Sequence, residues 1–109
     1  MARLPRRARL HSQHLFQRVL KNGRKQRGSA LELRWLTGDV APQLGVIINR
    51  HVGTAVERNR LKRIVREWFR HMRERLPHGA WIIRLLPPAA TRSTTLLHRD
   101  LTLQLRRLI

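Results

Sequence analysis

The hydrophobic positions change period several times along this chain, and each change marks an element. Leu15, Phe16, Val19 and Leu20 fall within about 140° of one another at roughly 100° per residue, so they form one face of a helix. Ser12 precedes them as a cap and Gly23 follows, which places the first helix over residues 12–22. Residues 1–11 lack any such period and read as a basic, extended arm that can be flexible. Residues 23–30 are a basic, Gly-containing connection with room for a very short strand. From Leu31 to Leu36 the pattern alternates. Leu31, Leu33 and Trp35 point one way and Glu32 and Arg34 the other, as in a half-buried strand. Gly38 to Pro42 is a turn, and the β-branched run Leu44–Asn49 predicts a more central strand.

The helical period then returns in its clearest form. Thr54 to Glu57 fits a capping box, in which hydroxyl and carboxylate satisfy each other's free amides. The helix is expected to run to about Arg75, ahead of Pro77, a length of roughly 30 Å. His78-Gly79 turns the chain into a strand over residues 81–86, which Pro87-Pro88 ends. Ser93 or Thr94 caps a last helix with the apolar stripe Leu97, Leu101, Leu105 and Leu108. Trp35, Trp68 and Trp81 lie on apolar faces and read as core. The expected architecture is an α/β sandwich (α+β) over a single domain, residues 1–109, in the order helix, strands, helix, strand, helix.

Charge changes the picture of the long helix. With Arg58 at zero on a wheel, Leu61, Ile64, Val65, Trp68 and Met72 fall between about 240° and 340°. Arg58, Asn59, Lys62, Arg63, Arg66, Arg70 and Arg73 fall between about 0° and 140°. Arg60 lies on the far flank, and Phe69 at the seam. A solvated helix face usually mixes signs at four-residue spacing. This arc contains no acid, so phosphate binding explains it better than solvation does. The whole chain carries 24 Lys and Arg against 6 Asp and Glu, a net +18 on 109 residues. That excess calls for a polyanion, and the hydrophobic content of 41% is too high for a disordered tail. With no cysteine there is no disulfide, thiolate metal site or thiol nucleophile. The acids are scattered, and none pairs with a His in a hydrolytic pattern, so no catalytic residues and no metal site are expected. No apolar run approaches bilayer length.

The segment Val52-Gly53-Thr54-Ala55-Val56-Glu57-Arg58-Asn59-Arg60-Leu61-Lys62-Arg63-Ile64-Val65-Arg66-Glu67 resembles the signature of the protein subunits of bacterial ribonuclease P. The strand Leu44–His51 before it and the first helix, Phe16–Gly23, resemble the same family. The chain departs from the pattern at Arg50-His51, where two Lys are common, and at Thr54, where Asn is frequent. It also lacks the basic C-terminal tail of many members.

The resemblance implies a fold like the second domain of ribosomal protein S5, with an uncommon left-handed β-α-β crossover where general rules favour a right-handed one. It implies that Arg58, Asn59, Arg60, Lys62, Arg63 and Arg66 bind the catalytic RNA subunit. A central cleft would hold the 5′ leader of precursor tRNA, with Phe16 matching the family's aromatic residue and core packing as its alternative role. Arg34, Asn49 and Arg50 are expected beside it. The RNA would carry the chemistry and its Mg2+. The expected partners are ribonuclease P RNA and precursor tRNA, with no membrane and no protein partner, in the cytoplasm. A ribosomal-type or chaperone RNA-binding protein is the main alternative. A DNA-binding regulator lacks a helix-turn-helix, and a self-sufficient nuclease lacks its carboxylates.

Overall fold

The computed structural model describes residues 3–109. Helix α1 (Gln13–Asn22) starts where the Ser12 Oγ accepts from the Leu15 amide at 3.1 Å, and ends at Gly23. The basic connection holds the short strand β1 (Arg24–Arg27), which pairs antiparallel with β2 (Leu31–Thr37). Strand β3 (Gln43–Ile47) leads through a single 3-10 turn at Arg50–Val52 into α2 (Ala55–Met72), whose end tightens into a 3-10 turn at Arg73–Arg75. Strand β4 (Gly79–Leu85), a proline-started 3-10 turn at Pro87–Thr91 and helix α3 (Thr94–Leu108) complete the chain. Three helices and a four-stranded mixed sheet make an α+β fold. The sheet order is β1-β2-β4-β3, with β3 and β4 parallel across the α2 crossover.

The sheet is covered on both faces. On the first face, Leu31 and Leu33 of β2, Leu44 of β3 and Trp81, Ile83 and Leu85 of β4 meet the apolar sides of α2 and α3. Leu61, Ile64, Val65, Trp68 and Phe69 come from α2, and Leu97, Leu101, Leu105 and Leu108 from α3. Phe69 is therefore core, not seam. Trp35 and Trp81, opposite each other in the register, stack at 5.5 Å between ring centroids. On the second face, Ala80, Ile82, Leu36 and Ile47 meet Val19, Leu15, Phe16 and Leu20 of α1.

Three expectations need correction. Strand β2 is not half-buried: Glu32 is only 2% exposed, because α1 lies over the strand's polar side and Arg34 supplies a counter-charge. Strand β3 is an edge strand, and β4 occupies the inner position. Its β-branched run is typical of a buried strand because both faces are covered and its outer edge is partly capped. The Leu10 amide donates to the Leu44 carbonyl at 2.9 Å, beside a parallel bridge between Arg9 and Leu44. The N-terminal segment, residues 3–11, is not a free arm; residues 1 and 2 lie outside the described residues. Leu4 and Ala8 are buried in the main core, and Arg6–Ala8 forms a 3-10 turn. Two buried residues are too few to show a period.

Leu4→Ala tests this docking. Loss of a buried leucine should cost about 2–4 kcal/mol in a urea titration. A change within error would mean that the segment contributes nothing to the fold.

Candidate nucleic-acid interface

The cationic face is built from the start of α2. The Glu57 amide donates to Thr54 Oγ1 at 3.2 Å, and the Thr54 amide donates to Glu57 Oε1 at 2.9 Å. These hydrogen bonds to Thr54 hold the Glu57 carboxyl below the ordinary carboxylate range. Gly53 packs closely against this carboxylate, where a Cβ would lie 3.0 Å from Glu57 Oε1. The buried Val52 anchors the entry to the helix. The cap thus fixes where the helix begins, and so which residues point outward.

From that start, Asn59, Arg63 and Arg66 are exposed on the side away from the buried arc, and Arg58 and Lys62, seven residues before the buried Val65 and Phe69, are half-buried along its edge. Arg66 is held below the usual guanidinium value, first by partial burial and then by the charge of Arg9. The N-terminal segment therefore adds a cation to this surface, which the helix wheel could not reveal. Arg60 is turned elsewhere: its Nη2 donates to the Arg92 carbonyl at 3.0 Å. Arg92 in turn pairs with Asp100 at 2.7 Å, so Arg60 ties α2 to the start of α3. Arg73 donates to the Pro42 carbonyl at 2.9 Å, and Arg70 Nη2 lies 3.3 Å from His71 Nε2.

Helix α1 packs across the second face of the sheet. The helix crosses the sheet from Gly45, beneath Phe16, toward Trp35, beside Gly23. A Cβ on Gly45 would lie 2.7 Å from the Phe16 ring, so glycine lets the ring lie against the strand. Phe16 is half-buried: it packs in the smaller core cluster and also lines a recess of about 290 Å³ with Leu10, His11 and Gln17. Both roles anticipated for it are thus compatible with one position. Arg34 is a strut, with Nε donating to Glu32 Oε1 at 2.6 Å and Nη1 to the Leu20 carbonyl at 2.6 Å. Asn49 lies just past β3, exposed, where its Oδ1 accepts from the His51 amide at 3.0 Å and caps the 3-10 turn. Arg50 and His51 are exposed on that turn. Arg84, half-buried on β4, shares the second face with Ile82. Its alternation with Trp81 and Ile83 was readable, but its neighbours depend on strand register.

Among the described residues, no three His, Cys, Asp or Glu side chains gather where they could hold a metal ion. No helix among them is long and apolar enough to cross a membrane.

Fold and surface define a class: a basic α+β protein with a cationic crossover helix on one side and, on the other, a helix packed on the sheet beside a recess at Phe16. Solved structures share this fold. The RNase P protein of Staphylococcus aureus, solved at 2.0 angstrom, superposes with a TM-score of 0.85 at 24% identity, covering 91% of this chain and 93% of that one. The RNase P protein from Thermotoga maritima gives 0.81 at 24% identity, covering 93% and 97%. A ribonuclease P family model matches residues 4–109. The ribonuclease P protein component of Xanthomonas oryzae pv. oryzae is 39% identical over 106 residues, 96% of this chain and 72% of that protein. The corresponding component of Bordetella avium is 38% identical over 102 residues, 90% and 85% of the two chains. The chain belongs to the ribonuclease P protein family.

The depressed Glu57 pKa gives a pH test. Ionised Glu57 favours the folded state, so its stabilisation is complete above the ordinary carboxylate range and disappears as pH falls through the lowered value. The native chain should therefore be more stable than Glu57→Gln at neutral pH, and the difference should vanish in strong acid. Parallel urea titrations at the two pH values check this. Thr54→Ala, which removes the other half of the cap, should cost about 1 kcal/mol at neutral pH.

Proposed function

We propose that this chain is the protein subunit of ribonuclease P, which binds the catalytic RNA subunit and the 5′ leader of precursor tRNA and assists removal of that leader. The observation that carries the reading is the acid-free cationic arc of α2, held outward by a capped start and a buried apolar arc. Arg58, Asn59, Lys62, Arg63 and Arg66 would neutralise and hydrogen-bond RNA phosphates, supporting the active fold of the RNA. Arg9 extends the same surface. Arg60 would act by holding the helix against α3, with any RNA contact made through the remainder of its guanidinium.

The cleft would add substrate affinity. A half-buried aromatic face such as Phe16 stacks on any base and tolerates leader variation. Asn49 and Arg50, exposed at the end of β3, would contact the strand nearby. Among the described residues no carboxylates or histidines gather as a hydrolytic metal site would need, and the chemistry and its Mg2+ would belong to the RNA. Its place would be the cytoplasm, with ribonuclease P RNA and precursor tRNA as partners. A general RNA-binding protein of ribosomal or chaperone type would share the charge, but it would not need this particular RNA.

Reconstitution distinguishes the two. The chain alone should leave precursor tRNA intact, and should stimulate cleavage by a bacterial ribonuclease P RNA at low magnesium. Absence of stimulation at every magnesium concentration would refute the proposal. If about six phosphates are neutralised, affinity for the RNA subunit should fall with salt at a log–log slope near −4 to −5. Arg58→Ala combined with Arg63→Ala should flatten that slope by about 1.5.

A further inference from the structure

Strand register lines up four residues across the second face: Arg27 on β1, Glu32 on β2, Arg84 on β4 and Ile47 on β3. Glu32 is the single acid of the row and is 2% exposed, with an arginine directly opposite on each neighbouring strand. A carboxylate this buried needs a partner. Its ion pair is with neither of them but with Arg34, two residues along its own strand, at 2.6 Å. Arg34 is further fixed by its bond to the Leu20 carbonyl, so two of its three nitrogens are committed and its side chain is 19% exposed. Among the described residues, neither Arg27 nor Arg84 is in an ion pair. The Glu32 charge is thus matched, and the cations on either side of it are left uncompensated.

Resting on the function proposed above, we infer that Arg27 and Arg84, and not Arg34, hold the phosphates of the single-stranded leader, while Glu32 is a positioning residue that keeps Arg34 on the floor of the cleft. The two free guanidiniums stand two strand spacings apart, about 10 Å at the backbone. Phe16 covers Gly45, which lies two residues before Ile47 on the same face of β3. Cations beside an aromatic ring are the elements of a sequence-tolerant single-strand site. Ile47 gives the row an apolar end on which a base can rest.

The test uses the holoenzyme reconstituted with a bacterial ribonuclease P RNA and two precursor tRNAs, one with a leader long enough to cross the sheet and one with a single-nucleotide leader. Arg84→Met and Arg27→Met should each weaken binding of the long-leader substrate severalfold, leave the short-leader substrate unchanged, and reduce the salt slope for the long leader by about 0.7. Arg34→Met should lower the melting temperature of the free protein without changing that slope. Glu32→Gln should release Arg34 into the cleft and steepen the slope by about 0.7. Unchanged slopes for both Arg84→Met and Arg27→Met would overturn the inference, as would a slope loss in Arg34→Met or equal weakening of the two substrates. An unchanged slope in Glu32→Gln would overturn the positioning role. Failure of the unmodified protein to stimulate cleavage would instead refute the function on which the inference rests.

Discussion

The crossover helix α2 has to satisfy two surroundings at once, and the rest of the molecule is arranged around that requirement. Leu61, Ile64, Val65, Trp68 and Phe69 must be buried, because they close the first face of the sheet. The cations on the rest of the helix surface cannot follow them, since an unpaired buried guanidinium is costly. A shift of one residue in the helix start would rotate every side chain by about 100° and drive charge into the core. The register is therefore fixed where the helix begins, by Val52 in the core, Gly53 against Glu57 and the reciprocal Thr54–Glu57 bonds. The most recognisable stretch of the sequence is thus also the stretch that holds the orientation of the helix. Its Val-Gly-Thr-Ala-Val-Glu part sets the angle at which the following Arg-Asn-Arg and Lys-Arg groups are presented.

The few acids are used sparingly and locally. Glu57 caps a helix, Glu32 fixes Arg34, Asp100 fixes Arg92, and Glu67 lies 3.9 Å from His71. Each of these contacts lies within eight residues along the chain, and none draws a cation off the exposed arc of α2. Long-range attachment is assigned instead to backbone carbonyls, which accept from Arg60, Arg73 and Arg34 at contacts 14 to 32 residues apart in sequence. A guanidinium can do this because it offers five donors, so one can be used for structure while others remain. An abundance of arginine over lysine is useful here for folding as well as for recognition.

Much of the fold could be read from period alone. The three helices, the short strand after Gly23 and the capping box follow from local rules, and local structure obeyed them. What failed was what depends on neighbours. The β-branched β3 has the composition of an inner strand because α1 and α2 flank it and Leu10 bonds to its edge, and none of these partners is visible in its own five residues. The alternation of β2 predicted a wet polar face, but a helix from elsewhere in the chain lies over it. Leu4 and Ala8 are anchors too sparse to show a period, so a docked segment resembled a tail.

The same distinction governs the surface. Arg58, Lys62, Arg63 and Arg66 could be placed on one face from spacing because the helix is regular, and burial agrees with that placement. Residue type alone did not show that Arg34, Asn49 and Arg60 each make a contact within the protein. A polar side chain beside a basic cleft can serve the ligand or the scaffold, and the sequence specifies its chemistry but not its partner. Arg84 illustrates the converse. It stands between two apolar stretches, Trp81–Ile83 and Leu85–Leu86, and only the pairing of β4 with β2 and β3 shows that it faces Glu32 on one side and Ile47 on the other. Where strands from distant parts of the chain create a surface, register carries the information, and a charge becomes interpretable only when the charges opposite it are known.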